Sequence, residues 1–300
     1  MIHIRVPATS ANMGSGFDSV GIAFEMYNHI WAEEIDEGLE IIVKKEQEIP
    51  VPVDKTNLIY KTISDFYRRR GIPLPGLRLI QEDNIPLTRG LGSSAACIVG
   101  GLMAANALAK TNYTKDDIAQ IAAKMEGHPD NSNPAIFGGM VVGALSSDEM
   151  RHVSLNIPKF LSFAVMIPDF PVSTEKSRNV LPYTVYRKDA VYNSSRAALL
   201  VASMITGNID NLKMAMSDKL HQPYRQPLVP GMEYILAAAE CFGGKGGYLS
   251  GAGPTLVAVL DEKDEADFSQ KMTSYLHSIP NNWRLQILKP DLEGAKIMED

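Results

Sequence analysis

The segment Pro86-Leu87-Thr88-Arg89-Gly90-Leu91-Gly92-Ser93-Ser94-Ala95-Ala96 brings two glycines and two serines to the start of an uncharged small-residue run ending near Ala109. A glycine turn feeding a helix leaves backbone N–H groups free at the positive end of the helix dipole. That arrangement attracts an anion such as phosphate. Serine hydroxyls at the same point can reach a phosphate oxygen or a metal ion bound to it. A turn capped by Ser93 in front of a core helix is the plainer reading, but it calls for neither both glycines nor the second serine.

The segment lacks the lysine of a Walker-type phosphate loop. Gly90-x-Gly92-x-x-Ala95 fits the loose dinucleotide fingerprint, but a proline-containing connection separates it from the strand around Leu77–Ile80, where that fingerprint requires direct continuity. Two further clusters carry polar chemistry. The loop expected from Pro7 to Gly21 contains Asn12, which can donate and accept, and the carboxylate of Asp18. Glu126-Gly127-His128-Pro129-Asp130-Asn131 gathers carboxylates, an imidazole and an amide at a helix end, a set suited to a metal ion or a proton transfer. Zinc is disfavoured there, because no cysteine is near and His128 is alone. Ser250-Gly251-Ala252-Gly253-Pro254-Thr255 lacks the glycines of a nucleophile elbow, since Tyr248 and Ala252 stand in their places. The glycines around Lys245 suggest a mobile edge beside it.

The elements that must position these residues are mixed. Strands are expected at Met1–Val6, Asn28–Ile35, Leu39–Lys45, Met140–Leu145, His152–Leu155, Phe163–Ile167, Thr255–Leu260 and Arg284–Leu288. Helices are expected from Thr56 to Arg70, from Thr114 with a capping box through Asp117 to Gly127, and at Asp189–Thr206, Ile209–Asp218, Gly231–Phe242 and Glu265–His277. The order is not the strict strand–helix alternation of a doubly wound sheet, so α+β is the expected class. The pattern restarts near Asn156-Ile157-Pro158, which predicts domains at 1–156 and 157–300.

The 300 residues are 45% hydrophobic and 21% charged, as in ordinary globular chains, and the net charge of -6 disfavours nucleic acid as a partner. The Ala95–Ala109 run is too short to span a bilayer, so no membrane association is expected. Cys97 and Cys241 are too few for a disulfide framework and are expected as reduced thiols in apolar helices. With no signal-peptide pattern at the N-terminus, the cytoplasm is the expected compartment.

Taken together, Pro7–Gly16, Pro86–Ala96 and Gly247–Thr255 resemble the three motifs of the GHMP kinase superfamily, in the family's order. Pro-Ala-Thr-Ser-Ala-Asn-x-Gly-x-Gly-Phe-Asp from Pro7 to Asp18 and the Glu126–Asn131 cluster resemble its homoserine kinase branch. The resemblance implies a ribosomal-S5 domain 2-like N-terminal domain, a ferredoxin-like C-terminal domain and an active site between them. It implies ATP as phosphoryl donor and L-homoserine as acceptor, on the route to threonine. Pro86–Ala96 would wrap the ATP phosphates, and Ser94 and Glu126 would hold Mg2+. Asn12, Asp18, His128, Asn131, Arg178 and Arg225 would line the acceptor site, with Asn12 contacting the reacting hydroxyl and Asp130 in a structural role. Asn12, Glu126 and Ser94 are thus the expected catalytic groups. At Ser132-Asn133 the family commonly has Val-Ala, so Asn133 is expected to add a polar group beside the acceptor. A mevalonate-type or sugar kinase, a nucleotide-binding paralogue without catalysis and a dinucleotide oxidoreductase are the alternatives. The resemblance is compatible with a homodimer.

Overall fold

The computed structural model describes residues 1–45, 49–147 and 149–299. The chain opens with β1 (Ile2–Ala11), β2 (Val20–Ile35), β3 (Leu39–Val43), α1 (Leu58–Arg70), β4 (Gly76–Glu82), α2 (Ser93–Leu108), α3 (Lys115–Glu126), α4 (Ser132–Phe137), β5 (Met140–Leu145) and β6 (Met150–Leu155). It continues with β7 (Leu161–Ile167), α5 (Thr174–Asn179), α6 (Arg187–Thr206), α7 (Leu212–Ala215), α8 (Gln222–Arg225), α9 (Met232–Cys241), β8 (Gly246–Leu249), β9 (Leu256–Asp261), α10 (Glu265–His277), β10 (Arg284–Leu288) and β11 (Lys296–Met298).

The first sheet has the order β11-β1-β2-β4-β3, with the β5–β6 hairpin attached to the start of β2. Only β3 and β4 run parallel. Helix starts follow their local chemistry: Asn57 accepts from the N–H groups of Ile59 and Tyr60, and Thr114 forms the expected capping box with Asp117. The second sheet is antiparallel in the order β10-β7-β9-β8. With helices between β7 and β8 and α10 between β9 and β10, this is the β-α-β-β-α-β ferredoxin-like arrangement. The class is α+β, as expected.

One apolar core runs across both sheets. Ile4, Val6, Ile30 and Leu79 of the first join Phe163, Val165 and Val257 of the second, and the Phe24 and Phe163 rings meet at 5.1 Å. The opposite face of the second sheet packs Met166, Ala258 and Leu260 against Ile235, Phe268 and Met272. Both faces of β7 are therefore covered, which is why all its residues are buried and its sequence is an unbroken small-and-apolar run.

The structure departs from the sequence expectations in several places. The loop expected from Pro7 is strand as far as Ala11. The chain passes a bulge at Pro7/Ala8, resumes pairing with β2, and finds partners for its buried hydroxyls: Ser10 Oγ meets Ser250 Oγ at 2.7 Å. The helix expected at Ile209–Asp218 ends at Ala215, because Asp218 instead accepts from the N–H groups of Leu220, His221 and Gln222. The edge expected to be mobile contains β8, paired with β9, and Gly246 is needed there because a Cβ would press on the Leu212 backbone at 2.8 Å. Cys97 lies within α2, whereas Cys241 is exposed at the end of α9 rather than packed in a core. Among the described residues no helix is long and apolar enough to cross a membrane.

Candidate active site

A cleft of about 610 Å³ opens between the two sheets, walled by the Asn12–Asp18 loop, Pro86–Ala95 and Glu126–Asn131 on one side and by Arg178, Arg225 and Gly251–Gly253 on the other.

One wall of the cleft is the start of α2. The N-cap is Gly92, with φ of 70°, not Ser93, and no side chain caps the helix. Ala96 N–H is the first that bonds within the turn, to Gly92 O at 2.9 Å. The N–H groups of Ser93, Ser94 and Ala95 therefore have no place in the helix ladder and stand at the cleft with the positive dipole end behind them. Ser94 is exposed to the cleft, while Ser93 Oγ is buried with no hydrogen-bond partner. Ala96, expected with the phosphate segment, is instead wholly buried in the core. Arg89 is held by the fold: its Nε and Nη2 donate to the carbonyls of Pro168 and Asp169 at 3.1 and 2.8 Å, tying the loop to the end of β7.

Both loop glycines are required by the fold itself. Gly90 has φ of 76°, and its carbonyl accepts from Ser250 Oγ at 2.5 Å. A Cβ at Gly92 would strike Thr9 Oγ1, whose hydrogen bond to Asn131 Oδ1 (2.9 Å) joins β1 to the Glu126–Asn131 segment. Gly92→Val should therefore lower the melting temperature as well as nucleotide affinity, since a β-branched residue at positive φ carries roughly 1–3 kcal/mol of strain. Calorimetric titration with ADP and a thermal melt check this; unchanged values in both contradict the role given to this turn.

The rest of the cleft combines residues from distant parts of the chain. Asn12, with φ of 73°, uses Oδ1 to accept from Asp18 N–H at 3.0 Å and Nδ2 to donate to Gly251 O at 3.1 Å. Its side chain thus joins the first loop to the Ser250–Thr255 loop. Asp18 and Arg178 form a fork at 2.9 and 3.2 Å, each partly exposed to the cleft. Arg225 is 2% exposed, with Nε and Nη1 donating to the carbonyls of Ser177 and Gly251 at 3.2 and 2.9 Å. His128 Nδ1 lies 2.5 Å from Asp130 Oδ1, and the ligand atoms of Asp18, His128 and Asp130 all lie within 4.8 Å of one another. Asn133, expected beside this cluster, is buried away from the cleft with Nδ2 3.3 Å from Met150 Sδ. The hairpin β5–β6 packs over that face of α4 and takes the side chain.

Charge in the cleft is strongly coupled. Burial pushes the Glu126 carboxyl up to about 7, against the pull of His128 and Arg178 and with the help of Asp130. Its Oε2 is sealed from solvent and has no partner. Burial works against a charge on His128, but the hydrogen bond and charge of Asp130, with Glu126 beyond, raise its pKa above the ordinary value. Burial and the neighbouring Arg178 bring Arg225 down to about 10, which leaves it charged at neutral pH. A carboxylate pair set against two guanidinium groups is the complement of a small zwitterion.

The structure adds residues that were not singled out from the sequence. At the outer end of the cleft Asn57, Gln81 and Asp83 form a buried polar chain, with bonds of 2.8 and 2.6 Å, beside apolar Leu58, Ile98 and Met125. Phe17 and His221 stack beside Arg225. The His221-x-x-x-Arg225 spacing was the available signal, since residues four apart share a helix face.

Known proteins resemble this chain along its whole length. The family description "GHMP kinases N terminal domain" matches residues 57–139 and "GHMP kinases C terminal" matches 198–277. The chain is 45% identical over 299 residues to the homoserine kinase of Caldicellulosiruptor saccharolyticus, covering 99% of this chain and 96% of that one. It is 42% identical over 300 residues to that of Petrotoga mobilis, covering 100% and 97%. The crystal structure of homoserine kinase from Cytophaga hutchinsonii superposes with a TM-score of 0.88 at 28% identity, covering 99% of this chain and 97% of that one. A mevalonate kinase, at 14% identity and a TM-score of 0.71 over 98% of this chain and 100% of that one, shares the fold. The chain belongs to the GHMP kinases, within their homoserine kinase family.

Proposed function

We propose that this protein transfers the γ-phosphoryl group of ATP to the side-chain hydroxyl of L-homoserine, giving O-phospho-L-homoserine and ADP for threonine synthesis. The observation that carries the reading is the opposition, in one cleft, of an uncapped helix N-terminus and a set of carboxylates and guanidinium groups, the Asp18–Arg178 pair partly exposed and Asp130 and Arg225 buried. ATP lays its phosphates on the N–H groups of Ser93–Ala95, with the purine toward Leu58, Ile98 and Met125. Arg225 takes the acceptor's carboxylate and Asp18 its ammonium group, while His128 and Asn131 close the pocket. Asn12 keeps the hydroxyl in line by holding its loop against Gly251. Phosphoryl transfer passes through a loose transition state with its charge on phosphate oxygens, so positioning and charge neutralisation are what the protein must supply.

Mg2+ fits the residues present, because Glu126 Oε2 and Ser93 Oγ are buried polar atoms without partners. Glu126 and Ser94, with Ser93 beside them, are the residues that would hold it. When bound, the ion neutralises phosphate charge. ATP and free amino acids are cytoplasmic solutes, so we place the reaction there. We divide the chain at 156/157, with β11 returning to pair with β1 in the first sheet.

A coupled assay of ADP release over homoserine, mevalonate, shikimate and galactose tests the reading. Turnover is expected with homoserine alone. Faster turnover with mevalonate or galactose, or nucleotide binding without turnover on any acceptor, overturns it.

A further inference from the structure

His221 has no role in the chemistry above, yet it is fully buried between the two halves of the acceptor pocket. Its Nε2 lies 2.8 Å from Gly14 O and its Nδ1 3.2 Å from Arg225 Nη1. A carbonyl can only accept and a guanidinium can only donate, so the two contacts fix one tautomer, with the proton on Nε2 and the lone pair on Nδ1. Asp218 Oδ2, 3.6 Å from Nε2, favours the same proton position. Phe17 stacks on the imidazole at 4.9 Å and 16°, and the Arg225 guanidinium lies 5.3 Å from the centre of the Phe17 ring. The imidazole is also braced from behind. Asp218 accepts from His221 N–H at 2.9 Å and from Asn193 Nδ2 at 2.9 Å, and Asn193 donates to Ser15 O at 3.1 Å. Gly14 and Ser15 belong to the loop that carries Asn12 and Asp18.

Arg225 stands on the second half of the chain and the Asn12–Asp18 loop on the first, so something must set the distance between them. We propose that His221 is the positioning residue of the acceptor site: by accepting from Arg225 and donating to Gly14 it fixes the guanidinium against the Asn12–Asp18 loop. This rests on the reading of Arg225 as the group that takes the acceptor carboxylate. The residue acts through Arg225 and touches neither substrate. A side chain that only filled the core would serve as well without its acceptor nitrogen; this one must present a lone pair to Arg225.

Three variants separate these roles. His221→Asn keeps an acceptor near the Nδ1 position, His221→Gln keeps a donor near Nε2 but loses that acceptor, and His221→Phe keeps only the stacked ring. Homoserine KM and kcat, ATP affinity by calorimetry and the melting temperature are measured for each, with Arg225→Lys alongside. His221→Gln and His221→Phe should raise the homoserine KM at least about 10-fold, as expected for a lost hydrogen bond to a charged group. Their kcat at saturating homoserine and their ATP affinity should stay near wild type, and His221→Asn should recover most of the KM. Equal KM values for the Asn and Gln variants, or a wild-type KM in a folded His221→Phe, overturn the proposal. Should His221→Phe not fold, the Asn–Gln comparison decides alone. If Arg225→Lys raises KM while the His221 variants do not, only the positioning role falls. An unchanged KM in Arg225→Lys removes the carboxylate reading itself.

Discussion

Glu126→Gln will remove most of the activity while making the ligand-free protein more stable at alkaline pH. The two effects have one cause. Glu126 is sealed in the cleft with Oε2 unpartnered, and burial lifts its pKa from 4.5 to about 7. A carboxylate in that position is costly until a cation arrives, and the amide keeps its shape without its charge. Activity should fall at least about 100-fold, the scale of losing several kcal/mol of charge stabilisation at the phosphates. The stability effect has a definite sign. Below pH 4.5 the carboxyl is protonated in both folded and unfolded chains, so the variant should match wild type. Between 4.5 and 7 the unfolded chain ionises while the folded one resists, so wild type loses stability as the pH rises. Above 7 the difference should level off at about 3 kcal/mol, the raised pKa converted at about 1.36 kcal/mol per unit. Thermal melts of both proteins at pH 4 and pH 8 check it. Full turnover, or a variant less stable at pH 8, contradicts the role assigned to Glu126.

The second large effect separates the two arginines. The resemblance led both to be expected along the acceptor site, but in the structure the Arg178 fork is filled by Asp18. Arg225 is buried, held by Ser177 O and Gly251 O, and faces the cleft with no ion-paired carboxylate among the described residues. Arg225→Lys should therefore lower kcat/KM for homoserine by the roughly 2–5 kcal/mol of a desolvated charge contact, with ATP affinity almost unchanged. Arg178→Lys disturbs a half-exposed pair worth about 0–1 kcal/mol and should cost less. Equal losses, or a larger loss in Arg178→Lys, mean that the acceptor's carboxylate displaces Asp18 from Arg178.

The legible parts of the chain were those whose chemistry is local. Asn57, Thr114 and Gly71 mark helix ends by side-chain capping or positive φ, and each stands where its type predicts. The glycine–serine turn before α2 was visible for the same reason, although its glycines answer to Ser250 and Thr9 as much as to a phosphate. What could not be read depended on distant partners. Ser10 looks like a loop residue until Ser250 is beside it, and Asn133 looks like a pocket residue until β6 brings Met150 over it. Arg178 and Arg225 both line the cleft, as the sequence led one to expect, but only the fold shows that Asp18, 160 positions from Arg178, pairs with the first of them. β11 has too few residues to signal a strand, and pairing with β1 is what makes it one.

The most direct test of the account is the crystal structure of the protein with a non-hydrolysable ATP analogue, Mg2+ and L-homoserine. The account predicts the phosphates on the N–H groups of Ser93–Ala95, the homoserine carboxylate on Arg225, its ammonium group on Asp18 and its hydroxyl facing the terminal phosphate. Homoserine bound outside this cleft, or phosphates lying away from the start of α2, would contradict it.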